Sequence, residues 1–462
     1  MQFSRKLKSY AVVTTLFAAS TLLLALYGCG GSDSSTGSGP RLQSITRLPN
    51  IDATAAFSYD IATIDPDTNT YYLADRNNRS IDVIDMATGT LKAQFKASEP
   101  DVGGFAGCRK VINGVTIQLG VDCVGANTEL GGPNGVNVGG NNLFVGDVNR
   151  VIILNKNTGA TVSTIKVNVA GSAVLSGNRA DEGCYDAEHT IYAISSPNET
   201  TPTMTFIDVS NPSTPKAITT LSFPGGAGLE ACQYDSTTHK FFVNNDGSAA
   251  NPRGEIDGIS GTWINSLPRQ VYGAVLPYPD VPVTVSTANI SIWPMGNCDP
   301  VGLAQGAGNQ LGAVCSQGGV SEQLTFQIWD KTSTAVDGSL LATINVGGAD
   351  QIAYDSTSQR WVLPMRYWTA NGMGGLAAGA SYTPMVAIVN TTNLPAAPAT
   401  IASTDSRVVM LPGGTNTHSV AVYNGKAAIG FAAPPNATNG LNLLLGGASF
   451  DSLGGVAMYL LQ

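Results

Sequence analysis

Charge is scarce in this sequence. Only 12% of its 462 residues are Asp, Glu, Lys or Arg, and three are His. What charge there is leans acidic, with a net −9 at neutral pH. No Lys/Arg cluster follows the N-terminal segment, which argues against nucleic acid or anionic lipid as a partner and favours cations or cationic partners. Periodic helical stretches are nearly absent after the first thirty residues. No C-x-x-C pair exists, which excludes the usual cysteine-ligated zinc and covalent haem sites. A P-loop, an H-E-x-x-H helix and a G-x-S-x-G elbow are missing as well.

Short β-rich runs are abundant instead, punctuated by 53 Gly and by Asn, Asp and Ser turns. They point to an all-β protein. One phrase recurs: an acidic residue, a short strand, a second Asp five residues on, a turn, then an apolar strand. It is read at Asp60/Asp65, Asp181/Asp186, Glu230/Asp235 and Asp350/Asp355. Three looser copies open at Asn134, Val301 (just after Asp299) and His418. The seven leading positions are spaced by 47 to 74 residues. A self-similar unit of roughly 40–50 residues built of short strands is the signature of a β-propeller blade. The expected fold is therefore one all-β, seven-bladed β-propeller over residues 41–462, because repeats bury their faces only against neighbours. The longer spacings require insertions, expected at 98–131, 246–298 and 367–383.

Blade 1 is the clearest, with strands at Asp60–Asp65, Thr70–Asp75, Ser80–Asp85 and Thr90–Lys96. The third strand of a blade ends in Asp or Asn five times, at Asp85, Asn155, Asp208, Asp330 and Asn390, as an Asx-turn requires. The last blade offers only three strands, and Arg41–Leu48 reads as an unassigned one. It is expected to supply the missing outer strand and close the ring.

The N-terminus combines Arg5, Lys6 and Lys8 with an apolar run from Tyr10 to Leu26, ending at Tyr27-Gly28-Cys29. This resembles a bacterial lipoprotein signal peptide, with Tyr27 standing where a small residue is usual. A transmembrane anchor is the alternative, for which the run is short. The resemblance implies removal of residues 1–28, a lipid on Cys29 and a Gly/Ser tether over 29–40. It also implies membrane attachment through Cys29. In such lipoproteins an Asp after the Cys retains the protein at the inner membrane; Gly30 stands there, which implies the outer membrane. Processing leaves 21 basic and 33 acidic residues, a balance of −12. Six cysteines remain, an even number in an exported chain, and three disulfides are expected. Cys108 with Cys123, and Cys298 with Cys315, are local pairs. Cys184 and Cys232 sit on inner strands of adjacent blades and point to an inter-blade bridge.

The phrases "LADRNNRSIDVIDMATGTL" and "LFVGDVNRVIILNKNTGATV" resemble YVTN/NHL-type propeller repeats. The resemblance is good over 55–170 and fades toward 255–300. It implies a fold and no particular chemistry.

In a propeller the starts of the inner strands ring one opening of the channel. Here that ring would hold Asp60, Asn134, Asp181, Glu230, Val301, Asp350 and His418. Close carboxylates repel unless a cation, a proton or water screens them, and hard cations such as Ca²⁺ want several such oxygens. The arrangement resembles the central calcium site of gluconolactonase/senescence-marker and paraoxonase-type propellers, which have six blades. That resemblance implies Asp60, Asn134, Asp181, Glu230 and Asp350 as calcium ligands and His418 as a catalytic base. Otherwise the acids cap strands and hold channel water. His189 and His239 fall in equivalent turns at the far end, facing solvent. Tyr367, Trp368 and Trp293 are candidates for stacking on a sugar. The expected function is an outer-membrane lipoprotein binding a small molecule or protein at its funnel face; the competing one is a calcium-dependent lactonase or esterase.

Overall fold

A computed structural model describes residues 39–462 except 50–56, 99–103, 108, 113–114, 119–130, 168–177, 270–282, 285–288, 316–321, 378–379 and 433–453. The leader 1–28, most of the tether and Cys29 lie outside the described residues. Cys108 and Cys123 lie outside them too. Residues 39–462 form one compact unit.

Seven sheets, each with four antiparallel strands, follow one another along the chain, six of them built strand beside strand in sequence order, and a two-stranded hairpin, Arg109–Ile112 with Val115–Gln118, stands apart from them. Blade 1 runs Tyr59–Asp65, Thr70–Asp75, Ser80–Asp85, Thr90–Phe95. Blade 2 runs Val136–Gly139, Asn142–Asp147, Arg150–Asn155, Thr161–Lys166. Blade 3 runs from Gly183–Asp186 to Lys216–Ser222, blade 4 from Leu229–Asp235 to Ile290–Pro294, and blade 5 from Pro300–Gln305 to Leu340–Ile344. Blade 6 runs from Ala353–Asp355 to Val408–Pro412. Blade 7 joins Val420–Tyr423, Lys426–Ala432 and Gly454–Leu460 to Arg41–Arg47 from the other end of the chain. Arg41 pairs with Leu460 and Arg47 with Gly455, antiparallel. This is the seven-bladed β-propeller expected from the repeats, closed by its N-terminal strand, so the ring has no free joint.

Two features are not visible as repeats. The excursion between the third and fourth strands of blade 4 was expected to distort that blade. Blade 4 instead keeps four strands, with a short helix, Gly261–Ser266, after the third. The same excursion lends Val283–Thr284, parallel, to the outer edge of blade 3. Blade 6 likewise lends Ala399–Ile401 to the outer edge of blade 5. Each loan covers an edge that would otherwise expose unpaired backbone groups.

The core sits between blades. Trp361 of blade 6 is fully buried against Phe326 of blade 5, at 5.1 Å between rings. Phe241 of blade 4 meets Phe206 of blade 3 edge-on at 5.2 Å. Each such side chain contributes about 1.5–3 kcal/mol by leaving water. Trp293 belongs here too: it is 1% exposed, between Phe242 and Trp329. Trp368 is 8% exposed. Neither tryptophan is therefore a surface sugar platform, because Trp293 is buried between Phe242 of its own blade and Trp329 of the next, and Trp368 is buried as well. Among the described residues no helix is long and apolar enough to cross a membrane.

Two of the three expected disulfides form. They are Cys184–Cys232, between blades 3 and 4, and Cys298–Cys315, within blade 5, with Cα atoms 5.3 and 4.7 Å apart. The third, expected between Cys108 and Cys123, is not among the described bridges, because neither Cys108 nor Cys123 is a described residue. All five Asx positions end their strands as read, and each accepts a backbone N–H two residues on, from Ala87 (2.8 Å) at Asp85 to Thr392 (2.9 Å) at Asn390.

Candidate functional site

The inner strands begin around one mouth of the channel. In three blades the pairing register slips at this point: between Tyr59 and Ala62, Leu229 and Cys232, and Pro300 and Leu303. The ring residues Asp60, Glu230 and Val301 lie inside these bulges, which bend the strand and re-aim its side chains. Gly135 and Gly302 follow ring positions for a steric reason. A Cβ would lie 2.0 Å from the Asp181 carbonyl oxygen at the first and 2.5 Å from that of Asp350 at the second. Neighbouring inner strands therefore approach backbone to backbone. Gln351 crosses between strands, accepting from the backbone N–H groups of Ala62 (3.1 Å) and Val420 (2.9 Å) and donating to the Ala62 carbonyl (2.7 Å).

Most ring acids are not bare. Arg76 ion-pairs with Asp60 and donates to Asn134 Oδ1 from Nε (3.0 Å) and Nη2 (2.8 Å). Asn134 spends its amide on the carbonyls of Gly131 and Ala180, both at 3.1 Å. Arg179 pairs with Asp181 at 2.9 Å and reaches within 3.9 Å of Asp60. Arg366 pairs with Asp350 at 3.0 Å. Asp60, Asn134, Asp181 and Asp350 each thus share a side-chain oxygen with an arginine.

His418 is 2% exposed and stacked on Tyr59, with ring centroids 4.3 Å apart. Its Nδ1 lies 2.8 Å from the Asn416 carbonyl and so carries the proton, leaving the Nε2 lone pair facing Asp60 Oδ1 at 3.8 Å. Burial and the Arg366 charge hold the imidazole below its usual pKa, hence neutral near pH 7. The ligand atoms of Asp60, Asp350 and His418 all lie within 4.8 Å of one another.

The blade 3–4 side of the mouth differs. Glu182 is 6% exposed, and burial with the Asp181, Asp350 and Asp60 charges pushes its carboxyl well above the usual range. Burial, then Asp246 and Asp181, do the same to Glu230. Asp246 is raised to about 7 by burial and by Asp299 and Asp350. Glu230 and Asp246 converge over Gly228, where a Cβ would sit 2.7 Å from Asp246 Oδ2 and 3.8 Å from Glu230 Oε1. None of these three carboxylates is salt-bridged among the described residues, and Asp246 Oδ1 is buried with no hydrogen-bond partner.

Sequence reasoning missed Arg76, Arg179, Glu182, Asp246 and Arg366. Three of them share a position, one residue past the second strand, where the chain returns to the mouth: Arg76, Asp246 and Arg366. That shared frame was the available signal. Asp299 is part-buried and pairs with Arg253 at 3.4 Å. At the far end, His189 and His239 occupy turns as expected, but each is bound to a carboxylate, Asp186 (2.8 Å) and Glu188 (3.0 Å) respectively.

No protein-family model matches the chain, and no curated protein matches it. Among solved structures it is similar to hydrazine synthase of Kuenenia stuttgartiensis, with 13% identity, TM-score 0.41, covering 68% of this chain and 94% of that one. It is also similar to the β-propeller domain of Cps50 (Swd1) of Myceliophteria thermophila, with 7% identity, TM-score 0.48, covering 92% and 99%. Likeness at this level carries nothing about activity.

Proposed function

We propose that this protein is an envelope-anchored β-propeller, lipidated at Cys29 on the outer membrane, that binds a ligand or partner presenting a cationic group at its channel mouth. The observation behind this reading is the carboxylate surplus of Glu182, Glu230 and Asp246. At neutral pH these groups sit in the mouth as protonated or mutually repelling acids. A cation entering there would replace protons and relieve repulsion, so binding and deprotonation would be linked.

The test is titration of the purified protein with lysine- and arginine-containing peptides, alongside the Glu182→Gln/Glu230→Gln/Asp246→Asn variant. The expected result is salt-sensitive binding that the variant loses and that tightens as pH rises. Equal binding by both proteins, or none by either, would sink the reading. Pull-down from envelope extracts with the same pair then seeks the physiological partner.

A second reading, a calcium-dependent lactonase or esterase, draws on the Asp60–Asp350–His418 grouping. A hard cation held by the two carboxylates would polarise a lactone carbonyl, and the neutral His418 Nε2 would take a proton from water. Bound calcium near one per chain, lost to EDTA with lowered melting and with any lactone hydrolysis, is its expected signature.

A further inference from the structure

At the opposite end of the channel, where the inner strands finish, two of the three histidines in the chain meet Glu188, His189 as its neighbour in sequence and His239 of the next blade through a 3.0 Å contact. We infer that the turns after the inner strands of blades 3 and 4 form a site for a borderline divalent metal of the Zn²⁺ class. Glu188, His189 and His239 supply ligands, and Asp186 orients His189.

The geometry is that of a partly assembled site. His189 Nδ1 lies 2.8 Å from the fully buried Asp186 Oδ2. A carboxylate there fixes the tautomer with the proton on Nδ1 and leaves Nε2 free to ligate, the usual support for a metal-binding imidazole. His239 Nδ1 lies 3.0 Å from Glu188 Oε2, and the Tyr234 hydroxyl donates to the same oxygen at 2.9 Å. The ligand atoms of Asp186, Glu188 and His189 lie within 4.8 Å of one another. A tetrahedral ion with bonds of about 2.0–2.2 Å holds its ligand atoms roughly 3.4 Å apart, so metal binding would draw the His189 and His239 rings toward the Glu188 carboxylate.

Two features hold the parts in place. His239 adopts a left-handed φ of 53°, at the position filled by Asn69, Thr190 and Gln359 in other blades. The Cys184–Cys232 bridge ties the two inner strands just ahead of these turns and sets the spacing between Glu188 and His239. The exposure fits ligand exchange with solvent: His239 side chain 50%, Glu188 41%, His189 30%. Tyr185, Ala187, Gln233 and Tyr234 line a neighbouring cleft of about 390 Å³ that reaches into the channel. Imidazole nitrogens with carboxylate suit Zn²⁺, Cu²⁺ or Ni²⁺, and not the all-oxygen preference of Ca²⁺.

The experiment is isothermal titration of the EDTA-stripped, dialysed protein with ZnCl₂ and, separately, CaCl₂. One Zn²⁺ site is expected, weakened about tenfold or more by His189→Ala and by His239→Asn, the latter chosen because Asn tolerates the left-handed backbone. His418→Ala should leave this Zn²⁺ binding unchanged, which separates the site from the mouth. Absence of Zn²⁺ binding, unchanged binding in the His189→Ala/His239→Asn double variant, or loss caused by His418→Ala instead would each overturn the assignment.

Discussion

Carboxylates line both ends of the channel, yet their protonation is pushed in opposite directions. At the mouth, burial and like charges raise Glu182, Glu230 and Asp246. At the far end, burial would raise Asp65 and Asp235, but the bonds and charges of Lys156 and Lys331, joined by hydrogen bonds from Thr68, Thr238 and the backbone, together outweigh it and hold both below the ordinary range. Those lysines reach back one blade, Lys156 to Asp65 at 2.9 Å and Lys331 to Asp235 at 2.6 Å. Each follows the Asx residue that ends a third strand, and Thr391 of blade 6 uses the same position to donate to Gln310 of blade 5 at 2.7 Å. The far-end acids are thus inter-blade joints with a cation built in. The mouth has more acid than cation.

The comparison breaks most visibly if a joint loses its cation. Lys331→Ala leaves Asp235, 2% exposed in its side chain, without a counter-ion, and should destabilise the protein by about 3–5 kcal/mol. Adding Asp235→Asn should recover part of that loss. Denaturant unfolding measures both, and a change under about 1 kcal/mol would show that solvent reaches the pair. Glu182→Gln at the mouth should leave stability unchanged or raise it at neutral pH, because it removes an uncompensated buried acid.

A pH series sharpens the same contrast. The mouth acids have folded pKa values above their unfolded ones, so the folded state holds protons longer. Their stabilising contribution is complete below about pH 4 and is lost as pH rises, through about 7 for Asp246. Asp65 and Asp235 act with the other sign: their contribution is present above about pH 4 and is lost as pH falls through their depressed values. Melting temperature should therefore fall from about pH 5 to about pH 8, and the Glu182→Gln/Glu230→Gln/Asp246→Asn variant should flatten that fall. An equally steep fall in the variant would move the cause elsewhere, to pairs such as Asp75 and Asp82, buried in blade 1 and both raised first by burial.

The repeat was legible because strand starts, Asx-turns and the five-residue Asp spacing are local features that recur along the chain. The closing strand was legible by subtraction, since blade 7 lacked an outer strand and Arg41–Arg47 lacked a blade. Lent strands such as Val283–Thr284 were not, because two residues pairing in parallel with another blade leave no periodic trace. The mouth was half legible. Leading acids stood in the repeat frame, whereas the position after the second strand holds Arg76, Asp246 and Arg366 in three blades, so its chemistry changes sign while its place does not. Burial of Trp293 was hidden for a different reason: its partners Phe242 and Trp329 come from two blades and are distant in sequence.

The smallest effect concerns turns that do neither job. Asp85 accepts backbone N–H groups from Ala87 (2.8 Å) and Thr88 (3.0 Å), and its other oxygen meets the half-exposed Lys92 at 2.6 Å. The Lys92 bond is the main reason its carboxyl titrates below the usual range, but an exposed pair of this kind adds little stability. The turn bonds need only an oxygen acceptor, which Asn155 provides with an amide at the same place in blade 2. Asp85→Asn should therefore cost less than about 0.5 kcal/mol, and Asp85→Ala about 1 kcal/mol, by thermal or urea unfolding. Equal losses in the two variants would mean that charge, and not the acceptor, holds this turn. The far-end Asx-turns would then share the electrostatic character of the joints beside them.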